Sequence, residues 1–395
     1  MSMFKWSPAA TGGLFAARRV LISGLAVVAA LAVVATSAAG APTTKVSVVV
    51  SGLNNPRGLT WAHGGLYVAE AGKAGPDCPP GAKGPTGGQL CFGRTSSLDV
   101  ISGGSVRAIR SGLISFSDVP GGAGAEGLEA VTGVARGVQV AYGESVLGHL
   151  FGLPAGAHLT PADSAALRQE AGMLDSVIGS SERNLADVGD SDLAWSGVHQ
   201  DLVPDQFPDA NPNALLQLGR LTYVIDAASN TLDSVDSRGV VRQLAFFPNP
   251  PRRDAVPTCV AKGPDNALYV GQLAPGAAPD QGKVYRYSLS TGRLTVWKSG
   301  FNVVDGCGFD HAGNFYAVEF QAHGFNPSPT GNPAGDIVKI SPNGTRSVIG
   351  AGSLFFPQGF AVDPQGNIYV SNWSILTGTP SRPGGPTGEV VKISQ

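Results

Sequence analysis

The sequence predicts an all-β protein, a six-bladed β-propeller with four-stranded blades, because one short phrase occurs six times. Each copy begins with β-branched and aromatic residues, as in residues 66–70 (Leu-Tyr-Val-Ala-Glu), which is typical of a strand. The last three intervals between phrase ends are 46, 47 and 53 residues, and they match the length of a propeller blade. Every phrase ends on a carboxylate or an amide. The six end residues are Glu70, Glu144, Asp226, Gln272, Glu319 and Asn372.

The flanks of each phrase supply the other strands of a blade. An apolar stretch and a tight turn come before the phrase, as in residues 359–367, where Asp-Pro and Gly-Asn dipeptides favour the turn. A loop of variable length and a third strand follow, and a fourth strand comes after a glycine-containing turn. The sixth repeat ends after its third strand. Residues 45–50 (Lys-Val-Ser-Val-Val-Val) are therefore predicted to complete it and to close the ring, which removes an open sheet edge.

Long insertions are predicted on one face of the propeller, since they fall between the second and third strands of the repeats. One short helix is expected in the second insertion, with Thr160 as N-cap, Pro161 at the first position and Asp163 as the capping acid. An aspartate-rich excursion, 185–212, joins the second and third repeats. The insertions are 71–95, 145–171, 273–282, 320–335 and 373–388.

The N-terminus predicts export. Lys5, Arg18 and Arg19 precede a run of small and apolar residues, 20–35, which is shorter than the ~20 residues that a membrane span needs. We expect a cleaved signal peptide at 1–39, a short linker at 40–44 and a single propeller domain at 45–395. The mature chain would be secreted or otherwise extracytoplasmic, without a stable membrane span. Both the general and the twin-arginine export routes remain open.

The composition limits the classes of binding partner. The formal net charge is -2, and no basic cluster is present, which argues against binding of nucleic acid. A small ligand or a protein partner remains. Four cysteines in an exported chain predict two disulfides, Cys78 with Cys91 and Cys259 with Cys307.

Two rings of polar residues are expected to meet at the loop-rich face. We interpret the outer ring, formed by the six phrase ends, as structural, because a carboxylate at a strand end commonly accepts backbone N–H groups of the next loop. The inner set stands where each innermost strand begins, and it is the predicted binding site at the mouth of the central channel. It comprises Arg57, Glu129 (or Glu126), Asn213 with Asn211 nearby, Thr258, Asp305 and Gln358.

Part of the inner set predicts a possible metal site. No cofactor is certain, but Glu129, Asn213 or Asn211, and Asp305 offer oxygen ligands close to the axis. Oxygen ligands suit Ca²⁺ or Mg²⁺. This arrangement resembles the central site of gluconolactonase-like propellers, as an analogy at the level of the fold.

Several motifs together resemble those of the ScyD/ScyE family of exported proteins. They are residues 54–59 (Asn-Asn-Pro-Arg-Gly-Leu), 209–212 (Asp-Ala-Asn-Pro), 256–258 followed by 263–266, and the terminal 388–393 (Gly-Glu-Val-Val-Lys-Ile). The resemblance covers residues 45–395 and departs at Cys259 and at 214–215. It implies an exported six-bladed propeller of the NHL-like type and no established catalytic residue.

These sequence features are compatible with two functions. The first is a binding or scaffold protein that holds a ligand or partner at the loop-rich face over the central channel. The second is a metal-assisted lyase or lactonase, with the cation polarising a carbonyl group. They differ in whether the inner set converges on a cation or pairs with Arg57 and the backbone.

Overall fold

The computed structural model describes residues 44–144, 158–251, 254–325 and 333–394. These residues form six antiparallel sheets of four strands, so the predicted propeller is confirmed. The predicted signal peptide, 1–39, and all but the last residue of the predicted linker lie outside the described residues.

The strands are named in chain order. The first twelve are β1 (Lys45–Leu53), β2 (Pro56–Ala62), β3 (Gly65–Glu70), β4 (Cys91–Ser102), β5 (Ser105–Ser117), β6 (Leu128–Gly133), β7 (Val138–Tyr142), β8 (Met173–Ile178), β9 (Ser181–Asp187), β10 (Pro212–Leu218), β11 (Leu221–Asp226) and β12 (Thr231–Val235). The others are β13 (Val241–Phe246), β14 (Pro257–Lys262), β15 (Ala267–Gln272), β16 (Gly282–Ser288), β17 (Leu294–Phe301), β18 (Val303–Phe309), β19 (Phe315–Gln321), β20 (Ala334–Ile340), β21 (Arg346–Phe355), β22 (Phe360–Val362), β23 (Ile368–Asn372) and β24 (Gly388–Ser394).

Blades 1 to 5 are the successive groups of four strands from β2 to β21, and blade 6 contains β22, β23, β24 and β1. The first strand of each blade contacts the first strands of the two neighbouring blades, which makes these six strands the wall of a central channel. As predicted, the N-terminal strand closes the ring. β1 pairs with β24, with Lys45 opposite Ser394 and Val48 opposite Val391.

The described residues contain two helices, where the sequence predicted one. The helix α1 (Pro161–Glu170) begins as predicted, with the Thr160 side chain accepting the N–H of Asp163 at 3.2 Å. The helix α2 (Val188–Val198) lies in the aspartate-rich excursion and was not predicted, because its apolar residues show no helical period. Asp187 is its N-cap and accepts the N–H of Asp190 at 2.9 Å.

Aromatic side chains fill the interfaces between blades. The ring of Tyr269 contacts Trp297 of its own blade edge-on, with the centroids 4.9 Å apart. It also contacts Phe309 and Phe315 of blade 5 at 5.0 and 6.0 Å. The tyrosine of the repeated phrase is thus a packing residue in this blade, and edge-on contacts of this kind add to the stabilisation from burial.

Both predicted disulfides are present. Cys78 is bonded to Cys91 and spans the first insertion, while Cys259 is bonded to Cys307 and links the innermost strands of blades 4 and 5. Disulfides are typical of proteins that fold in an oxidising compartment. Neither helix of the described chain has the length and apolar character that crossing a bilayer requires.

Removing the disulfide between blades 4 and 5, with Cys259→Ala and Cys307→Ala, is expected to lower the free energy of unfolding by about 4 kcal/mol. The bond closes a separation of 48 residues, so the unfolded chain regains much conformational entropy. Equilibrium unfolding in guanidinium chloride measures the effect. Cys78→Ala with Cys91→Ala opens a separation of 13 residues and serves as the matched comparison. We expect about 3 kcal/mol for it, and a loss below about 1 kcal/mol for the first pair would contradict the prediction.

Candidate functional site

The structure brings the two predicted polar rings to the same end of the propeller. In blades 1, 3 and 4 the phrase ends opposite the first residue of the innermost strand. Glu70 pairs with Pro56 across the two strands, and Asp226 pairs with Pro212 in the same way. The insertions leave the blades at this end, which is therefore the loop-rich face.

The inner set surrounds a narrow cavity on the axis. Its volume is about 80 Å³, and the residues that line it come from the start of all six innermost strands. A cavity of this size holds a few water molecules, at ~30 Å³ each, but no substrate-sized molecule. Among the predicted residues, the lining includes Glu129, Asn213, Thr258, Asp305 and Gln358. Of the two register alternatives in blade 2, the structure places Glu129 at the cavity and Glu126 just before the strand.

The guanidinium group of Arg57 is the central feature of the inner set. Arg57 is 0% exposed, and it donates one hydrogen bond to Gln358 Oε1 at 3.0 Å and another to the carbonyl oxygen of Ala125 at 2.6 Å. Its Nε atom lies 3.4 Å from Glu129 Oε2. One side chain thus joins blades 1, 2 and 6. A buried guanidinium requires such compensation, because leaving water is costly for an ion.

Asp305 is linked to this network through Gln358, from which it accepts a hydrogen bond. Burial raises the pKa of Asp305 to about 7, although the charge of Arg57 opposes the shift, and the charge of Glu129 contributes to it. Its Oδ2 atom has no hydrogen-bond partner among the described residues. At neutral pH this carboxyl group is therefore divided between its protonated and ionised forms.

The predicted ligands do not fit a Ca²⁺ or Mg²⁺ ion well. A positive charge is already present in the cluster, since Arg57 forms an ion pair with Glu129 and opposes the rise in the pKa of Asp305 that burial causes. Asn211 is also engaged, because its Oδ1 atom accepts the N–H of Glu144 at 3.3 Å. No group of three or more His, Cys, Asp or Glu side chains in the described part of the chain is arranged to hold a metal ion.

Four of the six outer-ring side chains hold the segment that leads into the innermost strand. Glu70 accepts the N–H of Asn54 at 2.5 Å, and Glu319 accepts the N–H of Asn302 at 2.9 Å. Asp226 binds the N–H of Asn211 and Asn372 binds the N–H of Phe355 in the same way. The sequence predicted donors in the following loop instead. Among the residues that the structure describes, Asp226 accepts such bonds as well, from the N–H groups of Ala228 and Ser229.

The outer ring also contains buried carboxyl pairs. Burial and a hydrogen bond to Asp99 raise the pKa of Glu70 to about 9. Burial likewise raises the pKa of Glu319 to about 7, and the neighbouring Asp336 contributes. Two carboxyl groups in contact away from water cannot both ionise cheaply, so one group of each pair holds its proton to a higher pH than a lone carboxyl group does.

An apolar cluster lies at the loop-rich face above blades 3 to 6. All but one of its buried members directly follow an outer-ring residue or lie two residues before an inner-set residue, as Val256, Val303 and Phe356 do. Val256 and Phe356 have φ values of 48° and 45°, which is rare for such residues and places their side chains in the cluster. The buried members are Ala227, Val256, Leu273, Val303, Phe320, Phe356 and Ile375.

A larger pocket lies away from the axis, beside blades 1 and 6. Its volume is about 730 Å³, and its walls come from the first insertion, from the segment 117–122 and from the last insertion, 373–388. The sequence predicted the loop-rich face but not this pocket, because three segments that are far apart in the chain form it. The disulfide Cys78–Cys91 at its edge was the available signal that the first insertion is ordered.

Comparisons with known proteins bear on the fold. No model of a known protein family matches the chain, and no curated protein matches it. Among solved structures, a streptogramin B lyase is 11% identical, with a TM-score of 0.46, over 89% of this chain and 97% of the other. A gluconolactonase from Xanthomonas campestris is 10% identical, with a TM-score of 0.45, over 89% of each chain. The likeness is one of fold alone.

A third solved structure is slightly more similar in shape. It is a structural genomics protein of unknown function from Bacteroides thetaiotaomicron, 10% identical, with a TM-score of 0.51. The match covers 89% of this chain and 76% of that one. It agrees with the architecture described above and assigns no activity.

Proposed function

We propose that this chain is an exported binding protein of the ScyD/ScyE type, which holds a small ligand or a protein partner at its loop-rich face over the central channel. The observation that carries the proposal is the Arg57 network. Arg57 places a positive charge beside the acidic groups of Glu129 and Asp305, so these two residues have a counter-charge within the protein.

The inner set then acts as a rigid floor under the binding face. Arg57 joins three blades, and its contacts do not depend on a ligand. A fixed floor favours binding because little side-chain freedom is lost when the ligand arrives. The axial cavity of about 80 Å³ is too small for the ligand itself, which would therefore lie among the loops.

The alternative is a lyase or lactonase assisted by Ca²⁺ or Mg²⁺ on the axis. One observation favours it. Among the described residues, Asp305 Oδ2 and both carboxyl oxygens of Glu129 have no hydrogen-bond partner. The Asp305 pKa of about 7 also suits a group that accepts and releases a proton.

Metal analysis of the purified mature protein distinguishes the two functions. For a binding protein we expect a Ca²⁺ or Mg²⁺ content at the practical background, less than ~0.1 equivalent per chain. EDTA should leave the melting temperature unchanged, because no bound ion stabilises the folded state. Glucono-δ-lactone should not be hydrolysed in added Ca²⁺. About one equivalent of metal, with lactone turnover that is lost in Asp305→Asn, would overturn the proposal. Asp280→Asn, a change at a surface aspartate, is the matched control.

A further inference from the structure

We infer that the pocket between blades 1 and 6 is a ligand site for a mainly apolar molecule that carries one anionic group. The inference rests on the proposed binding function and gives it a location and a ligand class. The pocket volume of about 730 Å³ lies within the range of small-molecule sites, whereas the axial cavity is far smaller.

Hydrogen bonds fix the walls of the pocket before any ligand arrives. The buried side-chain amide of Asn55 donates to the carbonyl oxygens of Gly72 and Gly122, at 2.7 and 2.8 Å, and so holds two walls together. The N–H of Gly124 donates to the carbonyl oxygen of Ile375 at 2.9 Å, which connects the loop after β5 to blade 6.

The first insertion is fixed in the same manner. The carboxylate of Asp118 accepts the N–H and the hydroxyl group of Thr86, at 2.6 and 2.8 Å. Ser115 accepts the N–H of Ala74 at 2.9 Å. A pocket with walls held in this way loses little entropy on binding, which is the condition for useful affinity in a small site.

The charges of the lining select an anion. Asp118 and Lys73 are the charged residues among those that form the walls. Asp118 is 7% exposed, and its Oδ2 atom accepts two hydrogen bonds from Thr86, so this carboxyl group offers little to a ligand. Lys73 is exposed and has no ion-pair partner among the described residues. A ligand anion would therefore find one available counter-charge.

The rest of the lining favours an apolar body. Ala74, Pro76, Val119 and Pro120 contribute alkyl groups, and several glycines expose flat backbone between them. Most of the polar atoms already have partners within the protein. Thr377, for example, donates its hydroxyl group to the carbonyl oxygen of Thr379 at 3.0 Å. An aromatic or alicyclic molecule with one carboxylate or sulfonate group matches this surface.

The probe 1-anilinonaphthalene-8-sulfonate belongs to this class, and its fluorescence rises in an apolar site. Titrated into the folded mature protein, it is expected to bind at one saturable site. Lys73→Ala should weaken binding about fivefold at low salt, an exposed ion pair being worth up to ~1 kcal/mol, and the difference should shrink in 0.5 M NaCl, where the Debye length is only ~4 Å. Thr379→Trp should weaken binding severalfold by placing an indole ring in part of the pocket.

Two controls separate this site from general stickiness. Lys83→Ala changes an exposed lysine of the same insertion that does not line the pocket, and it should leave the affinity unchanged. Binding of Nile red, a neutral probe, should be unchanged by Lys73→Ala but weakened by Thr379→Trp. Melting curves with and without the probe verify that the folded protein binds it.

The inference is overturned if the probe does not bind, or if Lys73→Ala and Thr379→Trp both leave its affinity unchanged. Either result would still be compatible with the proposed binding function at another part of the loop-rich face. That function fails on a different measurement, the metal content and lactone turnover described above.

Discussion

Replacing Arg57 with methionine is expected to lower the free energy of unfolding by about 3–5 kcal/mol at pH 7. The change leaves the buried carboxyl groups of Glu129 and Asp305 without their neighbouring positive charge, and it removes the hydrogen bonds to Gln358 and to the carbonyl oxygen of Ala125. Methionine retains most of the side-chain volume, so the loss reports the electrostatic network rather than a cavity. Equilibrium unfolding in guanidinium chloride measures it.

Two further variants test the cause. Arg57→Met combined with Glu129→Gln should recover part of the loss, because no unpaired Glu129 carboxylate then remains in the interior. Arg107→Met, at an exposed position in β5, is the matched control and should change stability by less than ~0.5 kcal/mol. A loss below about 1 kcal/mol for Arg57→Met alone would show that the network contributes little.

The second large effect is a loss of stability as the pH rises from about 4.5 to 9. Burial is the main cause of raised pKa values in the folded state at Glu70 (to about 9), Asp175 (to about 8), Glu319 (to about 7) and Asp305 (to about 7). In the unfolded chain these groups titrate near pH 4. Between these values the folded state binds more protons than the unfolded state.

The sign follows from proton linkage. Stability changes with pH in proportion to the protons bound by the unfolded state minus those bound by the folded state. For these carboxyl groups the difference is negative, so their contribution is fully present below about pH 4 and is lost as the pH passes through the raised values. Other groups limit stability in stronger acid. Burial acts to raise the pKa of Asp310 and Asp363, but hydrogen bonds from Asn314 and Asn367 outweigh it and lower both.

We therefore expect a melting temperature roughly 5–10 °C higher at pH 4.5–5 than at pH 9. The free energy of unfolding falls by several kcal/mol over this range, and in a large domain each kcal/mol shifts the melting temperature by only a few degrees. Differential scanning calorimetry across this range measures it. Glu70→Gln keeps the hydrogen-bonding shape without the titrating group and should flatten the profile, while Asp201→Asn, in a loop, should not. A melting temperature that rises towards pH 9 would contradict the assigned proton occupancy.

The fold followed from the sequence because strands and turns are local. The alternation in residues 66–70 and the turn at 363–367 each specify their own geometry, and six copies specify a ring. The positions of the inner set were also predictable, since each follows from where a strand begins. The helix α2 was missed for a local reason, its lack of an apolar period. The spacing of Asp187 and Asp190 at its start was the only clue.

The pairing of the inner-set side chains was not predictable from the sequence, because it depends on contacts between blades that form only when the ring closes. Arg57 meets Gln358 across 301 residues of chain, and neither residue indicates the other in the sequence. The pocket beside blade 1 depends in the same way on Gly124 meeting Ile375. Whether a buried arginine or a cation holds the carboxylates together is decided by such long-range contacts.

The pairing of β1 with β24 makes the first and last strands of the described chain neighbours in one sheet. During synthesis the first strand is made early and its partner last, so β1 lacks its partner while blades 1 to 5 are made. Five blades can stack on one another in the meantime, but the sixth lacks a strand until the C-terminus arrives. The late pairing of strands far apart in the chain is intrinsically slow. Blade 6 is therefore where a chain that lacks its last strand would unfold first.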